Sequence, residues 1–219
     1  MVIQGAINYR RNAHCQAKNV GFCGLKEIDL AVPDELNKRV RTLVDQGLGK
    51  RVNIVGWKAG RTIDTQTVIK HLPELYDWYK SIASQISKEV NETVKPTQDY
   101  LPTTCAVLVY EHDNDFINWH YDVNYFNGRF FTLLIPVTYV NTCTKYTYRD
   151  ANNQIISLPI KQGKSILFEG DKVFHMASKF CAKGEKRIVI SVQFSTDPGI
   201  SFINRFLMRL KDTAYIGAY

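Results

Sequence analysis

The sequence predicts an α+β chain in which helices come first and strands follow. Three observations carry this. "VPDELNKRVRTLVDQGLG" reads as an amphipathic helix, with Pro33 and Asp34 suited to its start and Gly47 or Gly49 to its end. "QTVIKHLPELYDWYKSIASQISKEVNETV" places Leu75, Trp78, Ile82, Ile86 and Val90 at helical spacing, with an interruption near Pro73. After Pro96 and Pro102 the period changes to strand-like alternation, which continues to about residue 196. Residues 1–28 read as loop and short strand, "NNQ" and "EGD" as turns, and "SFINRFLMRL" in the tail as a helix with apolar and basic faces. No internal repeat is visible.

A length of 219 residues suits a single domain: helical support over 1–103, a strand-rich core over 104–196 and a tail over 197–219. Hydrophobic residues make up 45% of the chain, a globular composition rather than a disordered one. The longest apolar run, "FFTLLIPVTYV", is too short to cross a bilayer as a helix. "MVIQGAINYRRNAHC" lacks the apolar core of a signal peptide. The five cysteines, at 15, 23, 105, 143 and 181, form no Cys-x-x-Cys pair and read as free thiols of a reducing compartment. Together these features predict a soluble cytoplasmic protein. His14, Cys15 and Cys23 fit no common zinc spacing. Asn91-Glu92-Thr93 matches a glycosylation acceptor but lies in a helix-like run and reads as chance. His71, on the second helical segment, reads as a packing or surface residue. The net charge of +7 and pI of about 9.1 come from scattered residues. No basic stripe is interleaved with stacking aromatics, so the charge reads as a solvated surface that also favours an anionic ligand.

The chemistry concentrates in "INWHYDVNYFNGRFFTLLIPV", "GKSILFEGDKVFHM" and "RIVISVQFS". In a strand, residues i and i+2 point to one face, so His120 and Asp122 can chelate a single ion while Tyr121 points away. His175 must arrive from another strand. Two imidazoles and one carboxylate form the facial set that holds Fe(II) and leaves positions open. Arg187 opens a stretch in which Ile188, Ile190, Val192 and Phe194 alternate with Arg187, Val189, Ser191 and Gln193, placing Arg187 and Ser191 on one face. A guanidinium there can grip a carboxylate with two parallel hydrogen bonds. The bland alternatives are a histidine and aspartate sharing a solvated turn, and an Arg187 salt bridge to Glu111, Asp171 or Glu185.

In these segments, roughly residues 104–196, the sequence resembles the 2-oxoglutarate- and Fe(II)-dependent oxygenases, especially their prolyl-hydroxylase-like branch. The resemblance implies a double-stranded β-helix, or jelly roll, buttressed by the N-terminal helices. It implies that His120, Asp122 and His175 bind iron and that Arg187, assisted by Ser191, binds the distal carboxylate of 2-oxoglutarate. Tyr110, ten residues before His120, stands where related enzymes carry a tyrosine facing the cosubstrate, its other reading being an ordinary buried strand aromatic. The implied activity is a dioxygenase that consumes O2, with ascorbate in support, hydroxylates an unactivated C–H bond and releases succinate and CO2. Retention of Asp122, which related halogenases replace by a small residue, argues for hydroxylation or a desaturation variant of it.

The sequence departs from that branch in two places. The tyrosine that relatives often carry on the strand after the first ligands, where it helps bind the distal carboxylate, is replaced by Leu134 or Pro136, with Thr132 the hydroxyl on the same face and a candidate for the cosubstrate. "KYTYRDANNQIISLPI" lacks the paired glycines that shape the substrate mouth. The branch points to a peptidyl-proline substrate; a small molecule or lipid is the alternative. Trp119, Tyr121, Asn124, Tyr125 and Arg129 are candidates for the mouth, each of which could equally be surface or core. A nucleic-acid substrate would call for a second arginine where Gln193 stands. A rival of another class is a non-catalytic jelly-roll binding module.

Overall fold

The computed structural model describes residues 22, 24–137, 145–161, 163–181, 184, 186–201 and 204. The His14/Cys15/Cys23 cluster and nearly all of the expected tail helix lie outside them. Strands β1 (Leu25–Asp29), β2 (Lys50–Ile54), β3 (Lys58–Ile63), β4 (Lys95–Pro96), β5 (Cys105–Tyr110) and β6 (Phe116–His120) are followed by β7 (Phe130–Pro136), β8 (Tyr146–Arg149), β9 (Ile155–Leu158), β10 (Lys164–Glu169), β11 (His175–Ala177) and β12 (Arg187–Ser195). Helices α1 (Asp34–Asp45), α2 (Thr65–His71), α3 (Pro73–Ser81) and α4 (Ala83–Val90) lie between β1 and β4.

All pairings are antiparallel, in the order β1-β10-β7-β12-β5-β3-β6-β11-β8-β9, with β2 on β3 and β4 on β12. The sheet rolls over at β3, whose Arg61–Ile63 pair with β5 while Lys58 and Ala59 pair with β6. Gly60 sits between the two sets with φ 158°, a conformation that a side chain rarely adopts. β5, β7, β10 and β12 form one wall and β6, β8 and β11 the other, facing across a shared cavity. This is the expected jelly roll.

Alternation along the strands assigns the two faces. Ile188, Ile190, Val192 and Phe194 of β12, with Phe131, Leu133 and Ile135 of β7 and Val107 and Val109 of β5, join a core completed by the helices. α1 contributes Leu36, Val40, Leu43 and Val44, α3 contributes Leu75 and Tyr79, and α4 contributes Ile86 and Val90. The alternate positions, Arg187, Val189, Ser191 and Gln193, line the cavity. The helical run divides at Leu72, with Pro73 opening α3, and Asp64 caps α2 by accepting from the Thr67 N–H at 2.8 Å. His71 is exposed at the end of α2. Asn91 ends α4 in the left-handed region at φ 57°, and Glu92 pairs with Arg129, so both belong to a helix stop.

Two expectations need adjustment. The segment expected as helical support also supplies β1, β2, β3 and β4 to the sheet. Cysteine usage differs too: Cys105 is a buried free thiol, but Cys181 is disulfide-bonded. A chain with a disulfide does not read as wholly reduced, so its cysteines no longer argue for a reducing compartment. No described helix is long and apolar enough to cross a membrane.

Candidate metal and anion site

His120 ends β6 and faces His175 directly across the β6–β11 pair, with ring centroids 4.2 Å apart. Antiparallel register thus joins two histidines that are 55 positions apart in the chain. Asp122 lies just past the end of β6, and its backbone N–H bonds to Gly170 O at 3.1 Å. Gly170 belongs to the "EGD" turn. A Cβ there would meet the Phe130 ring at 2.5 Å and Asp122 Cβ at 3.0 Å, so this turn must be glycine for the loop to sit where it does.

The Asp122 Oδ1 atom lies 3.6 Å from His120 Nε2 and 4.0 Å from His175 Nε2. One donor atom from each of the three residues falls within 4.8 Å of the others. The second nitrogen of each ring is occupied: His120 Nδ1 bonds to Asn118 O at 2.7 Å and His175 Nδ1 to Val173 O at 3.0 Å. A carbonyl can only accept, so each Nδ1 carries a proton and Nε2 is the ring nitrogen turned toward a metal. Burial, and then the neighbouring His120, push His175 down to about 4, which leaves it neutral at pH 7. Burial opposes the Asp122 charge, yet His120, His175 and the Thr132 hydroxyl outweigh it and hold the carboxyl well below its usual range. Thr132 on β7 donates to Asp122 Oδ2 at 2.7 Å. The donor set is two imidazole nitrogens and an oriented carboxylate, which fits a divalent first-row metal.

The cavity around these residues has a volume of about 510 Å³. Arg187, also on its wall, is only 3% exposed. Its guanidinium carbon sits 4.9 Å over the ring of Tyr110, the residue opposite it in the β12–β5 register. Among the described residues, neither Nε nor Nη1 has a hydrogen-bond partner. The acids weighed as structural partners are engaged elsewhere: Glu111 accepts from Arg61 at 2.7 and 2.9 Å, and Asp171 accepts from Lys172 at 2.7 Å. Glu185 lies outside the described residues. Burial lowers the Arg187 pKa, yet a guanidinium stays charged in a protein, so the cavity holds a cation with unmet donors.

Ser191 lines the cavity on the Arg187 face of β12. The hydroxyl of Thr132, expected at the cosubstrate, is engaged by Asp122. Leu134 takes a wall position. Of the mouth candidates, Tyr121 and Tyr125 line the cavity, joined by Trp57 and Val123, which are 37% and 49% exposed. Trp119 instead stacks on Phe174 at 5.2 Å beneath the Arg149 guanidinium at 5.4 Å. Asn124 closes a local turn through Gly128 O and the Phe126 N–H. Arg129 is locked by Glu92, Glu169 and Phe22 O. Sequence reasoning missed Tyr146, a buried β8 residue on the cavity wall whose hydroxyl has no partner among the described residues. It also missed Trp57 at the turn of the β2–β3 hairpin. The "YTYR" alternation was a signal for Tyr146, but four residues do not say which parity faces inward.

No protein-family model matches the chain, and no curated protein matches it in sequence. Solved structures do match in fold. A Pseudomonas putida prolyl-4-hydroxylase aligns with a TM-score of 0.60 at 12% identity, over 86% of this chain and 97% of that one. A Trichoplax adhaerens prolyl hydroxylase, in complex with a peptide of the hypoxia-inducible factor oxygen degradation domain, aligns with a TM-score of 0.57 at 15% identity, over 92% and 94%. SnoN, a non-heme α-ketoglutarate-dependent epimerase of nogalamycin biosynthesis, aligns with a TM-score of 0.62 at 11% identity, over 87% and 81%. The chain therefore has the fold of the 2-oxoglutarate- and iron-dependent oxygenases.

Proposed function

We propose that this protein is an Fe(II)- and 2-oxoglutarate-dependent dioxygenase that hydroxylates an unactivated C–H bond. One observation carries the reading: a His-Asp-His donor set and a buried arginine with unmet donors line the same cavity. A metal answers the first and a small dicarboxylate answers the second. When bound, iron and 2-oxoglutarate supply the redox chemistry, in which substrate, O2 and 2-oxoglutarate give hydroxylated substrate, succinate and CO2.

The chain's own residues set up that chemistry. His120 and His175 present lone pairs because their Nδ1 protons are committed to backbone carbonyls. Thr132 fixes the rotation of the Asp122 carboxylate. Arg187 grips the distal carboxylate, its guanidinium supported on Tyr110. Leu134, Phe168 and Val189 give the cavity an apolar wall that limits water.

For the substrate, a peptidyl proline is the first choice. It is supported by the two prolyl hydroxylases of the same fold, one of them with a peptide in place, and by aromatic side chains at the mouth. A small molecule is the second choice, supported by the fold's use in an epimerase of antibiotic biosynthesis. The test incubates the protein with Fe(II), 2-oxoglutarate and ascorbate against proline-containing peptides and small-molecule pools. The expected result is succinate release stimulated by a peptide that gains one oxygen atom by mass spectrometry. Stimulation by a metabolite alone would select the second substrate class. No succinate with any pool would favour a non-catalytic binding module.

A further inference from the structure

Glu169 ends β10 and is 1% exposed, and the turn it opens holds two of the three candidate metal ligands. Its backbone carbonyl accepts from the Val173 N–H at 3.1 Å, and the Val173 carbonyl in turn accepts from His175 Nδ1 at 3.0 Å. The next residue, Gly170, accepts from the Asp122 N–H at 3.1 Å and donates to Phe130 O at 3.1 Å. His120 is held elsewhere, through Asn118 O. A displacement of Glu169 therefore shifts Asp122 and His175 relative to His120.

The Glu169 carboxylate is held at two points. Arg129 donates to both oxygens, Nε to Oε1 at 3.1 Å and Nη2 to Oε2 at 3.0 Å, the planar fork that fixes direction as well as distance. The Arg129 backbone is itself pinned to the end of β12: its N–H donates to Thr196 Oγ1 at 2.9 Å, and its carbonyl accepts from the Thr196 N–H at 3.1 Å. The guanidinium also donates to Glu92, just past α4, and to Phe22 O, and it lies 5.0 Å over the Phe131 ring. From the other side, the Glu169 N–H donates to Gly24 O at 2.9 Å. A buried ion pair is weak evidence for stability, because desolvating two charges offsets their attraction. Here it supplies a fixed position for one turn.

We propose that Arg129 and Glu169 are positioning residues for the metal centre, their ion pair setting the place of the 169–173 turn and, through it, of Asp122 and His175. The proposal rests on reading His120, Asp122 and His175 as a metal site. Neither Arg129 nor Glu169 lines the cavity, so both act through the backbone of the turn. This gives Arg129 a role behind the ligands rather than at the substrate mouth.

The test titrates the full chain with Ni(II) by calorimetry, well below the melting midpoint of each variant, and needs no turnover. Glu169→Gln keeps the shape of the side chain and removes its charge. Glu111→Gln is the control, since it breaks another arginine–glutamate pair, one bonded to β3 rather than to this turn. The expected result is a loss of about tenfold or more in Ni(II) affinity for Glu169→Gln, the range for groups that orient metal ligands, with Glu111→Gln unchanged. The visible spectrum of the Co(II)-saturated protein should also change in Glu169→Gln and not in Glu111→Gln, because two of the ligands shift. If Glu169→Gln does not fold, Arg129→Lys carries the test: it keeps the charge, loses the fork, and should also weaken Ni(II) binding. Wild-type Ni(II) affinity in either folded variant, or an equal loss in Glu111→Gln, would overturn the proposal and leave the pair a purely structural one. A wild-type protein that binds no Ni(II) would instead overturn the reading of the triad as a metal site.

Discussion

Arg187 opens β12 and is buried, and its Nε and Nη1 meet no acceptor among the described residues. Leaving a buried charge unpaired costs several kcal/mol, which is the basis for the proposed carboxylate-binding role. Arg187→Lys keeps the charge but loses the planar fork, and Lys cannot lie flat on Tyr110 in the same way. It should raise the 2-oxoglutarate concentration needed for half-maximal succinate release by about tenfold or more, while Fe(II) affinity stays nearly constant. Parallel loss of iron would show that Arg187 acts on the metal end instead. Thr132 makes the opposite prediction. Its hydroxyl touches Asp122, so Thr132→Val should weaken metal binding by about 10- to 100-fold, read by metal titration with the melting curve unchanged. His120, Asp122, His175 and Arg187 were legible in the sequence because strand parity and order brought them forward. Gly170 was not, because its role depends on the Phe130 ring and Asp122 meeting at one turn.

At the scale of elements, β12 and β7 read directly from their alternation, with one parity in the helix-covered core and the other in the cavity. The β2–β3 hairpin did not. β3 is "KAGRTI", buried at all six positions because it lies where the sheet rolls over, so it shows no period of two. Its Arg61 is compensated by Glu111 and by the carbonyls of Leu48 and Val44, which tie β3 to the end of α1. β2 is charged and half exposed, and its Arg51 reaches the buried Asp115, which also accepts from the Glu111 and His112 N–H groups. These pairs predict an acid sensitivity. The Arg61 hydrogen bond outweighs burial and lowers the Glu111 pKa; for Asp115, burial acts upward but Arg51 and the two N–H groups prevail. The unfolded chain therefore binds more protons than the folded one between each lowered pKa and the ordinary value. The stability these groups contribute is present above about pH 4.3 and is lost as pH falls below that, through the lowered values. Denaturation midpoints followed from pH 6 to pH 3 should fall more steeply for the wild type than for Glu111→Gln. Parallel slopes would contradict a charged role for the Arg61–Glu111 pair.

At the scale of the whole molecule, the jelly roll, the helices behind it and the clustering of His120, Asp122 and His175 were all legible, since hydrophobic period and residue order encode them. Trp57 at the mouth and Tyr146 were not. They depend on which parity of a short strand faces inward and on a hairpin tip folding over the cavity. The proposed function depends above all on His120, Asp122 and His175 forming a working metal centre in this cavity. The direct measurement compares succinate release from 2-oxoglutarate, in the presence of Fe(II) and O2, for the wild type and Asp122→Ala, with circular dichroism confirming that both are folded. Turnover by the wild type should fall to background in Asp122→Ala. Full turnover by a folded Asp122→Ala protein would contradict it.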